Sequence, residues 1–348
     1  MKVLSDFSIA ELKDIVVSLG EKNFRAKQIF SDIHLGLDIS EMTDLSKSFR
    51  NKLSEEYIDA PCKIVKTLES IDGTKKFLFR LWDGNVVEGV LMNYKYGYTI
   101  CVSTQVGCRM GCVFCASTLG GLVRNLSAGE ILGQILVVNR LLGATKKDRK
   151  ITNVVLMGSG EPLDNYDNVI KFLRLLSDPD GINVSPRNVS LSTCGLVPKM
   201  LDLKNEGLPV NLTVSLHSPT DIERRKIMPV ANKYSIHEIL FACDEYFKAT
   251  GRRYYFEYSL INGQNDTDEC AQKLYELLKG KPCHVNLIRL NEVKERNLLS
   301  ATDARANAFL SKLTALGISA TIRRRMGVDI DGACGQLRRS YISENSGE

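Results

Sequence analysis

Residues 98–117 read YTICVSTQVGCRMGCVFCAS, and this stretch constrains both the fold and the chemistry of the chain. Its first five residues, YTICV, form a short apolar run that is typical of a buried β-strand. Cys108, Cys112 and Cys115 follow in the spacing Cys-x-x-x-Cys-x-x-Cys. Three thiols so close together on one loop indicate a metal or iron–sulfur site.

The number of clustered thiols distinguishes the kinds of site. A structural zinc site usually has four protein ligands, and a [4Fe–4S] cluster usually has four cysteines. With three cysteines, one iron is left open and can bind a substrate. Cys101 could supply a fourth ligand, although it lies inside the apolar strand. We favour an iron–sulfur cluster; a structural zinc site and three unconnected core cysteines remain the alternatives.

The composition narrows the class of protein. The 348 residues are 44% hydrophobic and 25% charged, which predicts a folded globular chain, and the net charge of +5 permits an anionic partner. Ten cysteines in a large chain indicate metal or redox chemistry rather than a disulfide framework. No apolar run approaches the ~20 residues that span a bilayer. Asp6, Glu11 and Lys13 interrupt the N-terminus where a secretory signal would be apolar, so we expect a cytoplasmic protein.

From Tyr98 onward, short apolar strands alternate with helices. We predict strands at 98–102, 152–157, 188–193, 210–216, 253–260, 284–288 and 319–324. Ser127 and Glu130 form a capping box that begins the first intervening helix. Repeated β-then-α units predict a parallel sheet with helices outside, and about six units predict an open barrel. Ligands of such folds bind at the carboxyl ends of the strands, where the three cysteines lie.

The rest of the chain divides into three further parts. Residues 1–60 are predicted to form a three-helix domain, whose first helix begins at a capping box of Ser8 and Glu11. Residues 61–97 form a β-hairpin extension with its turn at Asp83–Gly84. The barrel then covers 98–326, and a polar tail, 327–348, carries Cys334.

The cysteine motif, with Phe114 before its third cysteine, resembles that of the radical S-adenosylmethionine superfamily. Further motifs occur in the order in which that superfamily's RlmN family of RNA methyltransferases has them. They are MGSGEPLDN (157–165), STCG (192–195), VSLHSP (214–219), CHVNLIRLN (283–291) and DIDGACGQLRR (329–339). The resemblance covers most of the chain, including RAKQI (25–29). The motifs ACGQL and GEPLDN together are far more specific for this family than the three cysteines, which are shared by the whole superfamily.

The resemblance implies an α/β fold: a partial (β/α)6 radical SAM barrel with a small N-terminal helical domain and a β-hairpin extension. It implies that Cys108, Cys112 and Cys115 hold a [4Fe–4S] cluster, whose open iron chelates S-adenosylmethionine. Two S-adenosylmethionine molecules are consumed per turnover. The implied contacts of S-adenosylmethionine are Gly160, Glu161, Ser192, Ser215, Leu216, His217, Asn291 and Phe114.

The resemblance also implies the reaction, methylation of C2 of an adenine in 23S ribosomal RNA and tRNA. C2 is a weak nucleophile, whereas a thiolate is a good one. Cys334 would therefore take the first methyl group, and a radical formed on that methyl carbon would add to C2. Cys101 would resolve the covalent protein–RNA adduct by forming a disulfide with Cys334. Glu88 is the implied proton acceptor, with an exposed hairpin charge as the alternative.

The expected partners follow from the same resemblance. Ribosomal RNA and tRNA are the substrates, and a reducing electron donor such as flavodoxin supplies electrons to a monomeric enzyme that needs no membrane. Basic side chains near the tail are candidates for phosphate contacts, namely Arg323, Arg324, Arg325, Arg338 and Arg339. The N-terminal helices would grip RNA by its shape, and the target adenine would have to be extruded.

Two further hypotheses stay open at this point. A close relative of the family methylates C8 of the same ribosomal adenine and tends to have alanine after the Gly-Glu pair, where this chain has Pro162. A metal-stabilised RNA-binding factor without catalysis is the third possibility, and it would be colourless and loaded with zinc. Cys194, Ser159 and Gly332 depart slightly from the family pattern near the expected cofactor and tail cysteine.

Overall fold

The computed structural model describes residues 2–291, 293, 295–330, 337, 338 and 341. The α-helices are α1 Ile9–Ser18, α2 Arg25–His34, α3 Lys47–Glu56, α4 Ala128–Leu141, α5 Tyr166–Leu176, α6 Val197–Leu203, α7 Asp221–Ile227, α8 Ile236–Thr250, α9 Asp268–Leu278 and α10 Asp303–Ala315. The strands are β1 Lys2–Val3, β2 Tyr57–Ile58, β3 Cys62–Glu69, β4 Lys75–Leu81, β5 Val86–Tyr94, β6 Gly97–Cys101, β7 Gln105–Gly107, β8 Leu122–Asn125, β9 Ile151–Leu156, β10 Val189–Thr193, β11 Asn211–Ser215, β12 Tyr254–Leu260, β13 Cys283–Arg289 and β14 Ala320–Ile322. Among these described helices, none is both long enough and apolar enough to cross a bilayer.

One large sheet organises the molecule. Its strand order is β14-β13-β12-β11-β10-β9-β6-β5-β4-β3. In this sheet the strands β6, β9, β10, β11, β12, β13 and β14 run parallel, and helices fill the crossovers between them. Six β/α units therefore run from β6 to α10, with β14 as a short closing strand. The predicted partial barrel is confirmed.

The strand register gives the barrel two unlike faces. The side chains that pack against the helices are apolar, as in the neighbouring pairs Ile100–Val154 and Leu156–Leu191. The opposite face, which lines the barrel interior, is largely polar. Its register rows are Cys101–Val155–Ser190, Ser192–Thr213–Tyr255–His284 and Ser215–Glu257–Asn286–Thr321. Because a barrel of this kind does not fill its interior with apolar side chains, it can accommodate a polar ligand.

The extension before the barrel continues the same sheet with three antiparallel strands, not two. β4 and β5 pair around the predicted turn at Asp83–Gly84, and Asp83 forms an ion pair with Arg124 at 2.7 Å. The third strand, β3, pairs with β4 at the sheet edge. Lys63 and Lys66 interrupt its apolar pattern, so this segment has only a weak strand pattern. Lysine on an edge strand opposes pairing with another chain.

The three predicted N-terminal helices are present and pack directly onto the barrel. Both hydrogen bonds of the Ser8–Glu11 capping box form. A single apolar cluster joins the side chains of these helices to those of α4 and the parallel strands. At the junction, the backbone N–H of Gly129 donates to the carboxylate of Asp6 at 2.6 Å.

Gly129→Ala tests this junction. An added Cβ would lie 2.5 Å from Ser5 Oγ and 2.8 Å from the backbone N of Asp6, so α4 and the N-terminal segment would have to separate. Overpacking of this kind costs about 1–3 kcal/mol. We expect a lower urea midpoint for Gly129→Ala. Gly120→Ala is the control because its Cβ would meet no atom within 4 Å. Equal midpoints for the two variants would contradict the packing described here.

Candidate active site

The three-cysteine loop is closed at its base by a small sheet. β7 and β8 pair antiparallel on either side of it, and the backbone N–H of Cys108 donates to the carbonyl of Gly121 at 2.9 Å. Gly107 makes this closure possible: its φ is +78°, and a Cβ there would lie 2.0 Å from the Gly121 oxygen. The sequence did not reveal these two short strands, because β7 follows β6 within a few residues.

The interior of the loop is held by backbone bonds and apolar contacts. Val113 N–H donates to the carbonyl of Ile227 at 3.0 Å, at the end of α7. The Thr118 hydroxyl donates to the carbonyls of Cys112 and Cys115, at 3.1 and 2.9 Å. The loop thus presents its three cysteines from a constrained backbone.

The three thiols lie near enough to influence one another. Burial raises the pKa of Cys108 to about 12 and that of Cys112 further, and the neighbouring cysteines of the motif add to both increases. Iron binds thiolate, so a cluster must displace these protons when it binds. Cys115 is partly buried beside the other two.

The loop after β9 meets the loop after β6 at the same edge of the barrel. Thr104 and Gln105 donate their backbone N–H groups to the carbonyl of Ser159, at 2.9 and 3.1 Å. Gly160 has a φ of +109°, and a Cβ there would lie 2.7 Å from the Gln105 side chain. This close approach requires glycine at the predicted cofactor position.

Glu161 is buried and its carboxylate holds local structure. It accepts hydrogen bonds from the backbone N–H groups of Leu163 at 3.0 Å and Cys194 at 2.7 Å. Burial raises the pKa of Glu161. These bonds join the ends of β9 and β10, so Glu161 shapes the predicted S-adenosylmethionine site in addition to any contact with the ligand.

The predicted contacts on β10 and β11 lie on the inner face of the barrel. Ser192 and Ser215 occupy register rows of that face and are partly exposed to its interior. Leu216 follows β11 and is buried. Asn291 is exposed beyond the end of β13. All four therefore lie at or near the carboxyl edge that carries the cysteine loop.

His217 connects this edge to the cysteine loop. Its ring packs edge-on against Phe114, with 4.6 Å between the ring centroids. Its Nδ1 accepts the backbone N–H of Ser259 at 2.9 Å, so the ring proton is on Nε2. Burial lowers the pKa of His217 to about 3, and the ring is therefore neutral at physiological pH.

Cys101 and Glu88 lie on one face of the sheet. Cys101 ends β6 opposite Val90 of β5, and Glu88 is two residues from Val90 and therefore on the same side. Glu88 is buried, not an exposed hairpin charge, and its carboxylate lies 3.3 Å from the ammonium of the equally buried Lys76.

The tail reaches this same face. The backbone N–H of Arg338 donates to Glu88 at 2.5 Å, and its guanidinium donates to the carbonyl of Val86 at 2.8 Å. Leu337 is buried against Leu78 and Val86. Cys334, the predicted methyl acceptor, lies outside the described residues, as does Arg339.

The remaining arginine candidates differ from one another. The side chain of Arg323 faces the barrel interior, 3.7 Å from the carboxylate of Glu257 and 3.4 Å from the sulfur of Met157. Of these three arginines, Arg324 and Arg325 are exposed and form no ion pair with a described residue, whereas Arg323 already lies near Glu257.

Sequence reasoning missed several residues that build this site. Gln105 donates to Asn125 and Asp164 and accepts from the backbone of Glu161, which joins three loops. Asp164 also forms an ion pair with Arg109 of the cysteine loop. Arg224 is buried beneath the barrel mouth. Local sequence patterns do not predict these contacts, because the partners come from different β/α units.

The donor set fits an iron–sulfur cluster. Within the described part of the chain, no group of three His, Cys, Asp or Glu side chains is gathered around one point as a single metal ion requires. In a cubane cluster each cysteine binds a different iron, so its ligands need not converge. The constrained thiol loop and the polar inner face beside it suit a cluster and a polar ligand.

Comparisons with known proteins identify the family. The model of the radical SAM superfamily matches residues 102–278, and the model of the ribosomal RNA large subunit methyltransferase N-terminal domain matches residues 3–58. A relative from Clostridium perfringens, described as a probable dual-specificity RNA methyltransferase RlmN, is 54% identical over 98% of each chain. The chain belongs to the RlmN family. A relative of the same description from Lachnoclostridium phytofermentans is 53% identical over 97% of this chain and 94% of its own.

A solved structure agrees with this RlmN assignment. A radical SAM methyltransferase from Sphaerobacter thermophilus superposes with a TM-score of 0.92 at 42% identity, covering 97% of this chain and 99% of the other. The cofactors of the superfamily are a [4Fe–4S] cluster and S-adenosylmethionine. Both cofactor predictions are thereby confirmed at the level of the family.

Gly107→Ala tests the closure of the cysteine loop. A Cβ at this position would collide with the Gly121 carbonyl, so the base of the loop would open and the cysteines would lose their arrangement. We expect the purified, anaerobically reconstituted variant to hold at most about half the iron of the parent while its circular dichroism stays unchanged. Gly120→Ala, in the same loop, should retain full iron. Full iron in Gly107→Ala would refute this role of the closure.

Proposed function

We propose that this chain methylates C2 of an adenine in 23S ribosomal RNA and in tRNA, through an S-methylcysteine and a covalent protein–RNA adduct. The observation that carries this proposal is the shared face of Cys101, Glu88 and the tail at Leu337–Arg338. That face continues the inner surface of the barrel beside the three-cysteine loop. The near full-length similarity to dual-specificity relatives supports both RNA substrates.

The cofactor roles follow from the site. Cys108, Cys112 and Cys115 hold the [4Fe–4S] cluster, and Gly160, Ser192, Ser215, Leu216, His217 and Asn291 surround S-adenosylmethionine, with Phe114 against His217. When bound, the reduced cluster supplies one electron that breaks a carbon–sulfur bond of S-adenosylmethionine homolytically. Glu161 fixes the loop that carries Gly160, and neutral His217 contributes no charge to the binding site.

Two cysteines perform the transfer. The thiolate of Cys334 takes a methyl group from the first S-adenosylmethionine by displacement. The 5′-deoxyadenosyl radical from a second S-adenosylmethionine removes a hydrogen atom from that methyl group, and the resulting carbon radical bonds to C2. The adduct radical loses one electron, which the oxidised cluster would accept, and the C2 proton, which leaves RNA linked to Cys334 through a CH₂–S bond. The thiolate of Cys101 then attacks the sulfur of Cys334, the carbon–sulfur bond breaks, and the released CH₂ carbon takes up a proton, so that methylated RNA leaves. The resulting Cys101–Cys334 disulfide must be reduced before the next cycle.

Glu88 accepts the proton that C2 loses. Its position on the Cys101 face supports this role, and its burial excludes the reading of an exposed hairpin charge. Lys76 and the backbone of Arg338 hold the carboxylate in place. The same bonds secure the part of the tail that follows Cys334.

Each of the four segments of the chain has its own proposed role. Residues 1–60 grip RNA by shape, 61–97 extend the sheet, 98–326 hold the cofactors, and 327–348 carry the methyl acceptor. The exposed Arg324 and Arg325 contact phosphate. The enzyme acts as a monomer in the cytoplasm, and a low-potential donor such as flavodoxin reduces its cluster.

Cys334→Ala with methyl-labelled S-adenosylmethionine tests the central step. Without the acceptor thiol, both labelled protein and methylated RNA should be lost, while the iron content stays at the level of the parent. Cys270→Ala is the matched control, since Cys270 lies on α9 away from the cysteine loop. Normal RNA product from Cys334→Ala would end this mechanism. Mass spectrometry of the parent's product separates 2-methyladenosine from 8-methyladenosine, and only the latter would assign the chain to the C8 reaction.

Glu88→Gln tests the proton acceptor. The amide cannot take the proton from C2, so the protein–RNA adduct should accumulate and the yield of free methylated RNA should fall at least tenfold. Glu69→Gln, an exposed position on β3, is the control. The change also removes the charge opposite buried Lys76, and a melting curve shows whether the fold survives. Turnover at the parent rate in a folded Glu88→Gln variant would exclude the role.

A further inference from the structure

Arg224 is a fully buried cation close to the cysteine loop. It lies in the middle of α7, and its side chain has no exposure to solvent. The guanidinium donates to three backbone carbonyls, Leu216 at 3.1 Å, Ser215 at 3.1 Å and Cys194 at 2.7 Å. It therefore joins the ends of β10 and β11 from beneath the proposed S-adenosylmethionine site.

Among the described residues, this guanidinium has no directly paired carboxylate. Throughout the part of the chain that the structure describes, no carboxylate lies within ion-pair distance of Arg224, and its Nη1 is buried without a hydrogen-bond partner. An unpaired buried charge is strongly unfavourable. Arginine does not relieve this cost by losing its proton in proteins. The adjacent Arg225, by contrast, is exposed.

The groups around Arg224 indicate what would balance it. Arg224 donates to the carbonyl of Cys194, whose side chain packs in one apolar cluster with Cys112 and Ile227. The backbone N–H of Val113, next to Cys112, donates to the carbonyl of Ile227 on the same helix as Arg224, at 3.0 Å. His217 beyond Leu216 is neutral, and Asp221 on the same helix is too far for an ion pair. A negative charge held by Cys112, one of the proposed cluster ligands, would therefore lie close to α7 and Arg224.

We propose that Arg224 stabilises the negative charge of the thiolate-bound [4Fe–4S] cluster and thereby raises its reduction potential. The inference rests on the proposed placement of the cluster on Cys108, Cys112 and Cys115. One electron from an external low-potential reductant converts the oxidised cluster to the reduced form, which carries one more negative charge. A nearby cation in a low-dielectric site favours that more negative state. Arg224 is thus a positioning residue whose charge acts on the cluster, while its carbonyl bonds hold Ser215 and Leu216.

Charge and hydrogen bonding can be separated by two variants. Arg224→Gln removes the charge but keeps an amide N–H₂ that can donate to a carbonyl. Arg224→Lys keeps the charge but loses the planar set of guanidinium N–H donors. Arg225→Gln removes the same charge from the exposed neighbouring position. Each reconstituted protein is titrated redox-potentiometrically by electron paramagnetic resonance without RNA or S-adenosylmethionine. Iron per chain and the melting temperature are measured on the same samples.

At a fixed potential, the ratio of reduced to oxidised cluster should fall about tenfold in Arg224→Gln, a shift of ~59 mV for a one-electron couple. Arg224→Lys should keep most of the parent's ratio, and Arg225→Gln all of it. If Arg224→Gln does not fold, Arg224→Lys still decides the question, because a tenfold fall there would show that hydrogen bonding, not charge, sets the potential.

Two results would overturn the inference. One is a parent-like potential in an iron-replete Arg224→Gln protein. The other is a tenfold fall in Arg224→Lys. If the unchanged potential of Arg224→Gln came with weaker binding of S-adenosylmethionine by calorimetry, Nη1 would be assigned to the ligand's carboxylate. Neither result would affect the proposed RNA methylation. A parent protein that binds no iron would instead contradict the proposed function itself.

Discussion

The alternation of side chains along the parallel strands is the constraint on which the rest of this structure depends. One face of each strand is apolar and packs against the helices, so the other face is free to be polar. Serines, Glu257 and Asn286 can line the interior because the outer face alone supplies the apolar burial that stabilises the sheet. The three antiparallel strands before the barrel continue both faces. The inner face of the barrel is therefore continuous with the face that carries Cys101 and Glu88.

The chemistry lies at the carboxyl edge of this sheet, where loops from different β/α units meet. The cysteine loop is closed by β7 and β8, the loop after β9 rests on Gln105, and Glu161 joins it to β10. Many of the hydrogen bonds that join these loops involve backbone N–H and carbonyl groups. Side-chain substitutions elsewhere in these loops are therefore tolerated more easily than a change of backbone geometry at Gly107 or Gly160.

Two of the buried charged groups differ in how their charge is balanced. Lys76 and Glu88 neutralise each other beneath the tail, and this pair also receives the backbone of Arg338. Among the described residues, Arg224 has only carbonyl oxygens as hydrogen-bond partners, and its helix contacts the cysteine loop. The first arrangement is complete in the protein alone. The second is completed by the negative charge of the cofactor that we propose.

The sequence by itself determined the cysteine motif, the β/α order, the capping boxes and the family, because these are local patterns or motifs in a fixed order. The strands from Tyr98 to Ile322 and the first three helices could be predicted in this way. The strand β3 and the β7–β8 pair could not, since their apolar patterns are short and interrupted by lysine or glycine. Only the tertiary structure decided that Arg224 is buried while Arg225 is exposed, because α7 has seven residues and shows too few turns for a reliable apolar face. It also decided that Glu88 shares a face with Cys101, because strand register depends on pairing between segments and not on either segment alone.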